Sequence, residues 1–325
     1  MSNSIKRFLG NCRFLFLIRV VAEKNKEALF FSRYLSFGNR DVRKMEPNLR
    51  VAAHALEKGM SIGNARPGFG KAKAADLLSD LQTFLDAGGS KSVAGEICSV
   101  IDKYVDYNAL LGADMSDIKH LYCKFIDANS IPVNDYGGYL TLRKDDIFAA
   151  LHRGFPSFAK SRYAVRDFGN EKISLEEIEK ALQIAEKAPS ACNRQSWKVH
   201  VYSKGPMYTK LLELQGGNRG FGQDMQYAIL VCCDLMYYRF FEMNQLFVDG
   251  GLYAMSLLYA LHHCGIASIP LTMSQRMSLI RRVIREMGLP EGEMPVLVIG
   301  VGSYKDEFRV AKSERVAYKN YTSFE

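Results

Sequence analysis

The stretch that decides the reading runs from Ser161 to Trp197, SRYAVRDFGNEKISLEEIEKALQIAEKAPSACNRQSW. Arg162 and Arg166 stand four apart at its start. A capping box, Ser174-Leu175-Glu176-Glu177, then opens a helix with Ile178, Ala181, Leu182 and Ala185 on its apolar face. Pro189 closes that helix, and the small-residue turn after it carries the side-chain amides of Asn193 and Gln195. Guanidinium forks pair with phosphate, and amides both donate and accept hydrogen bonds. Such a unit suits an anionic, planar ligand.

Downstream, helix and strand alternate. KVHVY, residues 198–202, puts Val199 and Val201 on one face of a strand and His200 on the other, where it reads as structural. A helix near Met207 to Leu214 leads through the flexible loop GGNRGFGQDM to Ala228–Cys233, whose unbroken apolar run implies a sheet covered on both faces. Asp249 to Cys264 is apolar almost all round, as a central or interfacial helix must be, with Gly265 as its cap. Ile269-Pro270-Leu271 extends, and Met277, Ile280, Val283, Ile284 and Met287 stripe another helix. A last buried strand, Pro295 to Val301, runs into the polar, basic tail GSYKDEFRVAKSERVAY.

Upstream, the pattern from about Glu46 to Ala128 is helical, with Pro47 in a first turn and Ser116 as an N-cap. Three apolar stripes appear: Leu77, Leu78, Leu81, Phe84 and Leu85; Ile97, Val100, Ile101 and Tyr104; Ile118, Leu121 and Phe125. The Gly-rich loop SIGNARPGFGKAK lies ahead of the first, and GGYLTLRK extends after the third, before a brief helix from Asp145 to His152. This divides the chain into an N-terminal segment 1–45, a helical domain 46–153 and a second domain 154–325. His54, Glu57 and Lys58 share one helix face. His54 and Glu57 are candidates for acid–base work or metal binding beside the Gly-rich loop; a solvated face with an intrahelical ion pair is the plainer reading.

Composition narrows the classes. A hydrophobic share of 48% with 24% charged residues fits a soluble globular protein. The net charge of +8 favours phosphorylated cofactors, nucleic acid or an anionic membrane. No basic run interleaved with aromatics occurs, so nucleic-acid binding is not expected. Seven cysteines, with no C-x-x-C pair and no His/Cys cluster at zinc spacing, fit a cytoplasmic protein without a metal. Phe14–Ile18 is too short an apolar run for a bilayer span; with Lys6, Arg7, Arg13 and Arg19 it could lie on a membrane surface, but an ordinary docking helix or strand is preferred. No G-x-G-x-x-G follows a strand, and neither a P-loop nor a G-x-S-x-G elbow occurs.

SRYAVRDF followed by APSACNRQSW resembles the nitroreductase family of FMN-dependent oxidoreductases, over roughly Phe155 to Arg315. DGGLYAMSLLYALHHCGIASIPL and PVLVIGVGSY are similar to that family's central helix and final core strand. The resemblance implies an α+β fold, a mixed and mainly antiparallel sheet flanked by helices, here preceded by the helical region. It also implies a homodimer whose two subunits share each FMN site. Arg162 and Arg166 would hold the phosphate and ribityl end, joined by Lys312 and Arg315, with Tyr163 and Ala164 between them. Pro189, Ser190, Ala191 and Asn193 would meet the flavin ring, with Asn218 a further contact and backbone at Leu271 and Thr272 near the reactive edge. The activity implied is transfer of a hydride from NADH or NADPH through the flavin to a small organic acceptor such as a nitro compound, quinone or enone. No acid or base side chain is required. The alternative is a flavin-binding or non-catalytic interaction protein whose helical region recruits a partner or membrane. Ala164 and Ala191 replace frequent hydroxyls of the family, and Ser196 stands where proline is usual before Trp197.

Overall fold

The computed structural model describes residues 13–34, 42–132, 135–239 and 241–325. Lys6, Arg7 and Cys12 lie outside them. Five helices come first: α1 (Arg13–Tyr34), α2 (Val42–Met60), α3 (Lys71–Asp86), α4 (Lys91–Leu110) and α5 (Ser116–Asn129). The apolar stripes meet in one cluster, with Leu49, Leu56 and Met60 of α2 against Leu77, Leu81 and Phe84 of α3 and Ile97, Ile101 and Tyr104 of α4. Helix α2 starts ahead of the expected Glu46, so Pro47 lies inside it rather than in its first turn. Ser116 does not cap α5 through its side chain; it is the first helical residue, and its N–H donates to Asp114 Oδ1 at 2.9 Å. Leu121 is exposed, because the third stripe is narrower than its spacing suggested.

The Gly-rich loop is packed against its own helices. The Tyr104 hydroxyl donates to the Phe69 carbonyl, and Gly68 N–H donates to Asn108 Oδ1 at 2.8 Å. A Cβ on Gly59 would stand 2.0 Å from the Phe69 ring, so glycine is the residue that lets the loop close on α2. Helix α1 leaves Phe14, Leu17, Ile18 and Val21 exposed, and no described helix is long and apolar enough to cross a membrane.

The remainder is α+β. Strands β2 (Phe168–Gly169), β6 (Glu293–Tyr304), β4 (Tyr227–Asp234) and β3 (Trp197–Ser203) lie in that order, with β5 (Ala267–Thr272) also on β6. Every pairing among the described strands is antiparallel. Alternation along β4 sends Leu230 and Cys232 into a cluster with Leu211 of α9 (Pro206–Gln215) and Val283 of α11 (Met277–Glu286). It sends Ile229 and Val231 into another with Ile178 of α8 (Leu175–Ala185) and Leu257 and Leu261 of α10 (Gln245–His263). The unbroken apolar run of β4 is thus buried on both faces. The capping box of α8 is formed as its sequence reads. Helix α10 buries one side and leaves Phe247, Val248 and Leu252 exposed on another. Gly265, at φ +71°, ends it: Gly265 N–H donates to the His262 carbonyl and Ile266 N–H to that of Leu261, both at 2.9 Å.

The tail differs from its polar reading. Strand β6 runs on to Tyr304, and Glu307–Ala311 forms β7, which pairs with β1 (Tyr139–Arg143) in the register Tyr139↔Ala311. Phe308 and Val310 are buried apolar residues alternating with polar ones, a strand signal that the surrounding charges mask. Helices α6 (Lys144–Leu151) and α7 (Phe155–Ser161) follow β1, and Ile147 of α6 enters the cluster shared with α9 and α11. Helix α2 lies against β7. The helical region and the sheet region therefore meet along the segment that leads into the tail.

Candidate active site

That meeting line encloses a cleft of about 1100 Å³. Helix α2 contributes Arg50, His54 and Glu57, and α4 contributes Glu96 and Ile97. The segment after α7 contributes Arg162, Tyr163, Ala164 and Arg166; α10 contributes Met255 and Tyr259; the tail contributes Ala311 to Arg315. Six Lys or Arg residues line it against three Glu, so the cleft carries a cationic excess suited to an anion.

Arg166 is buried, and burial pushes its guanidinium down to about 10 while the Glu57 charge works the other way. Its Nη1 makes a long hydrogen bond to the Ala164 carbonyl, at 3.4 Å. Arg162 is half-buried, and its Nη1 is fully buried without a hydrogen-bond partner. Burial also pushes Arg162 down, with Tyr259 and Tyr304 opposing and Arg315 adding to the shift. A guanidinium with a buried, unmet N–H beside a second one with a single long bond leaves donors that an acceptor oxygen would satisfy.

Behind Arg162, His262 sits between Ser161 Oγ (Nε2, 2.8 Å) and the Tyr304 hydroxyl (Nδ1, 3.1 Å). Burial, then the Arg162 charge, hold it down to about 4, so it is a neutral imidazole at ordinary pH. Glu57 forms the opposite wall. Its Oε1 accepts from Gly138 N–H at 3.1 Å and Ser313 N–H at 3.4 Å; its Oε2 lies 3.3 Å from the Ser313 hydroxyl and 3.1 Å from His54 Nδ1. The face shared by His54 and Glu57 is therefore turned into the cleft, and Glu57 ties α2 to the tail.

Of the residues singled out from sequence, Arg162, Tyr163, Ala164, Arg166, Lys312, Arg315, His54 and Glu57 share this cleft. Lys312 is occupied elsewhere: its ammonium donates to the Asp135 carbonyl and lies 3.5 Å from Asp135 Oδ2. Arg315 donates to the Ser313 carbonyl. The others lie elsewhere in the chain. Pro189 and Asn193 are exposed, on a turn where Cys192, Asn193 and Gln195 all take positive φ, 52°, 54° and 50°. Ser190 Oγ accepts from Gln195 N–H at 2.9 Å, and Ala191 N–H donates to Asp249 Oδ1 at 3.0 Å. Asn218 Nδ2 donates to the Leu212 carbonyl at 2.6 Å, Leu271 is buried in the core, and the Thr272 carbonyl accepts from Gln215 Nε2 at 3.2 Å. Ser196, in the place of the usual proline, is buried with its hydroxyl against Tyr238 OH.

Sequence reasoning passed over Asp249. It is fully buried and also accepts from Tyr238 OH and Gln245 Nε2, both at 2.9 Å, so it anchors the strained turn to α10. The signal was present: a lone carboxylate opening an otherwise apolar run. Arg50 and Glu96, paired at 2.9 Å across the cleft's rim, lie far apart in sequence and gave none.

Fold and cleft together define an α+β protein with two guanidinium groups set for an anion beside a helical wall. Residues 159–215 match the model of the nitroreductase family. A "Putative NADH dehydrogenase/NAD(P)H nitroreductase" of Archaeoglobus fulgidus is 30% identical over 150 residues, covering 45% of this chain and 83% of its own. The iodotyrosine deiodinase of Haliscomenobacter hydrossis is 26% identical over 174 residues, covering 45% and 77%. A nitroreductase-type structure solved with FMN, from Exiguobacterium sibiricum, is 18% identical at a TM-score of 0.46, covering 53% of this chain and 98% of its own. The chain belongs to the nitroreductase family of oxidoreductases.

Proposed function

We propose that this chain is an FMN-dependent oxidoreductase that takes a hydride from NADH or NADPH and delivers it to a small organic acceptor. The observation that carries the reading is the buried, unpartnered Nη1 of Arg162 beside Arg166 in a cationic cleft. Those donors fit a phosphate, whose charge and oxygens supply what the guanidinium groups lack. FMN, when bound, supplies the acceptance and donation of hydride. The residues of this chain bind and orient: Arg162 and Arg166 hold the phosphate, with Arg315 alongside. Glu57 fixes the backbone of Ser313 between Lys312 and Arg315. Tyr163 and Ala164 line the floor. No proton needs to leave a side chain for this, although His54 and Glu57 stand where an acceptor could meet them.

The exposed turn of Ser190, Ala191 and Asn193 supports a site completed by a second copy of the chain. Asp249 holds Ala191, just ahead of its left-handed residues, and Asn193 and Gln195 are exposed. The exposed Phe247, Val248 and Leu252 on α10 support a homodimer in which that turn reaches the neighbouring cleft. The names of the relatives support a nicotinamide reductant, and they widen the acceptor class from nitro compounds to halogenated aromatic rings. Against a division at 153–154, the pairing of β1 with β7 and the packing of Ile147 of α6 support joining residues 139–151 to the core.

The test is an absorption spectrum of the purified protein after FMN loading, taken anaerobically before and after NADH or NADPH. Bleaching of the flavin bands, with recovery on admitting oxygen, is the expected result. A protein that fails to bind added FMN would overturn the reading. A second reading, that the N-terminal helix recruits a partner or membrane, draws on the exposed Phe14, Leu17, Ile18 and Val21 beside Arg13 and Arg19. Deleting residues 1–41 should abolish such an association and leave flavin reduction intact.

A further inference from the structure

On the far side of β4 from α10, three side chains converge from three adjacent strands: His200 of β3, Cys232 of β4 and Glu293 at the start of β6. His200 Nε2, Cys232 Sγ and a Glu293 carboxylate oxygen all lie within 4.8 Å of one another, with His200 Nε2 2.6 Å from Glu293 Oε2. We propose that these three residues form a binding site for a divalent transition cation of the zinc type, with a fourth position left to water on the half-exposed side of His200.

The arrangement depends on an irregularity in the sheet. Leu230 faces Val298 and Val231 faces Leu297, but the register then shifts, so that Cys232 faces Pro295 and Asp234 faces Glu293. An unshifted ladder would set Cys232 opposite Val296 and leave Glu293 one residue further off. The bulge draws the carboxylate toward the thiol, the kind of re-aiming that bulges provide. Lys198 is on the same face of β3 and in register with Cys232, yet its ammonium turns away to within 5.9 Å of the Tyr237 ring. That leaves Glu293 and Cys232 without a lysine between them.

Charge and distance both suit a cation. A neutral imidazole, a carboxylate and a thiolate sum to −2, so a doubly charged ion gives a neutral complex in a region where Cys232 is fully buried and Glu293 nearly so. Zinc bonds of about 2.0 to 2.3 Å put ligand atoms roughly 3.3 to 3.8 Å apart. Binding would part His200 and Glu293 by roughly 0.7 Å and draw the sulfur in by up to roughly 1.3 Å, within the reach of side-chain torsions. The metal takes the thiolate form of Cys232, so binding releases the thiol proton. None of the three residues lines the cleft.

The experiment is a cobalt(II) titration of the full chain, followed by visible and near-ultraviolet difference spectra. A thiolate-to-cobalt charge-transfer band that saturates at one equivalent and is abolished by added zinc is expected. Cys232→Ser should remove the band. Because that substitution lies in the core, His200→Gln at the half-exposed position serves as the second variant and should weaken cobalt binding at least tenfold. Zinc should raise the melting temperature of the unaltered chain but not that of His200→Gln. Absence of the charge-transfer band, or equal cobalt affinity in the unaltered chain and His200→Gln, would overturn the proposal and leave a His–Glu ion pair beside a buried thiol.

Discussion

Replacing Arg162 with methionine should move stability and flavin affinity in opposite directions. In the protein without flavin, Arg162 Nη1 is buried and makes no hydrogen bond, and an unmet buried donor costs about 1–3 kcal/mol. Methionine fills most of the same length without a charge or a donor. The flavin-free variant should therefore be more stable by a fraction of that cost, raising the melting temperature by a few degrees at roughly 2–4 °C per kcal/mol. Once a phosphate is present the sign reverses. A charge-assisted hydrogen bond contributes about 1.5–3 kcal/mol, so its loss should weaken FMN binding roughly 10- to 150-fold. Riboflavin has no phosphate and should bind the variant and the unaltered chain alike. Thermal melts of the flavin-free proteins and fluorescence titrations with both flavins make the measurement. A variant that melts lower and binds FMN as well as before would refute the argument, as would equal weakening toward FMN and riboflavin.

Three further outcomes follow from the same geometry. Glu57→Ala leaves the N–H groups of Gly138 and Ser313 without their acceptor, at about 1–3 kcal/mol each, whereas the Glu57→Gln carbonyl can take both; denaturant melts should show the alanine variant clearly weaker, and equal stability would disprove the anchoring role. His262 is held at about 4 against an ordinary 6.5, so the unfolded chain takes up the proton first; its contribution is present above about pH 6.5 and is lost as the pH falls toward 4, by roughly 3 kcal/mol in all. His262→Gln should flatten that part of the stability–pH curve, and an unchanged slope would point to other groups. Mixing Arg162→Met with Asn193→Ala, each impaired alone, should restore flavin reduction if the turn of one copy completes the cleft of another, because a heterodimer holds one intact site. No recovery after subunit exchange would count against a shared site.

How much could be read from the sequence depended on how local each signal was. The capping box of α8 is a four-residue device and formed as written. The unbroken apolar run of β4 and the glycine after α10 likewise carried their meaning in place. Strand β7 was hidden because Phe308 and Val310 alternate with charged neighbours, and its partner β1 lies far back in the chain. Pro47 misplaced the start of α2 because a proline's preference for the first turn yields when the amphipathic pattern continues through it. Of the residues lining the cleft, Arg162 and Arg166 stood out by their own motif. His54 and Glu57 shared a face by spacing alone; which way that face turned depended on the tail folding back over it.

The helical region is bound into the cleft rather than laid over it. Glu57 lies in α2, well outside the segment matching the family model, yet it accepts from Gly138 before β1 and from Ser313 just past β7, the two strands that pair in register. Lys312 N–H donates to the Gly138 carbonyl at 3.0 Å, so one carboxylate closes the end of that two-stranded ladder. The same carboxylate supplies the opposing charge to Arg166. Cutting away the helices would therefore unpair two backbone donors, loosen the residues on either side of Ser313 and leave Arg166 without its nearby carboxylate, all at the cationic end of the cleft. A flexible lid would leave that end intact when removed. For this chain, loss of the helical region should reach the binding of the phosphate before it reaches the choice of acceptor.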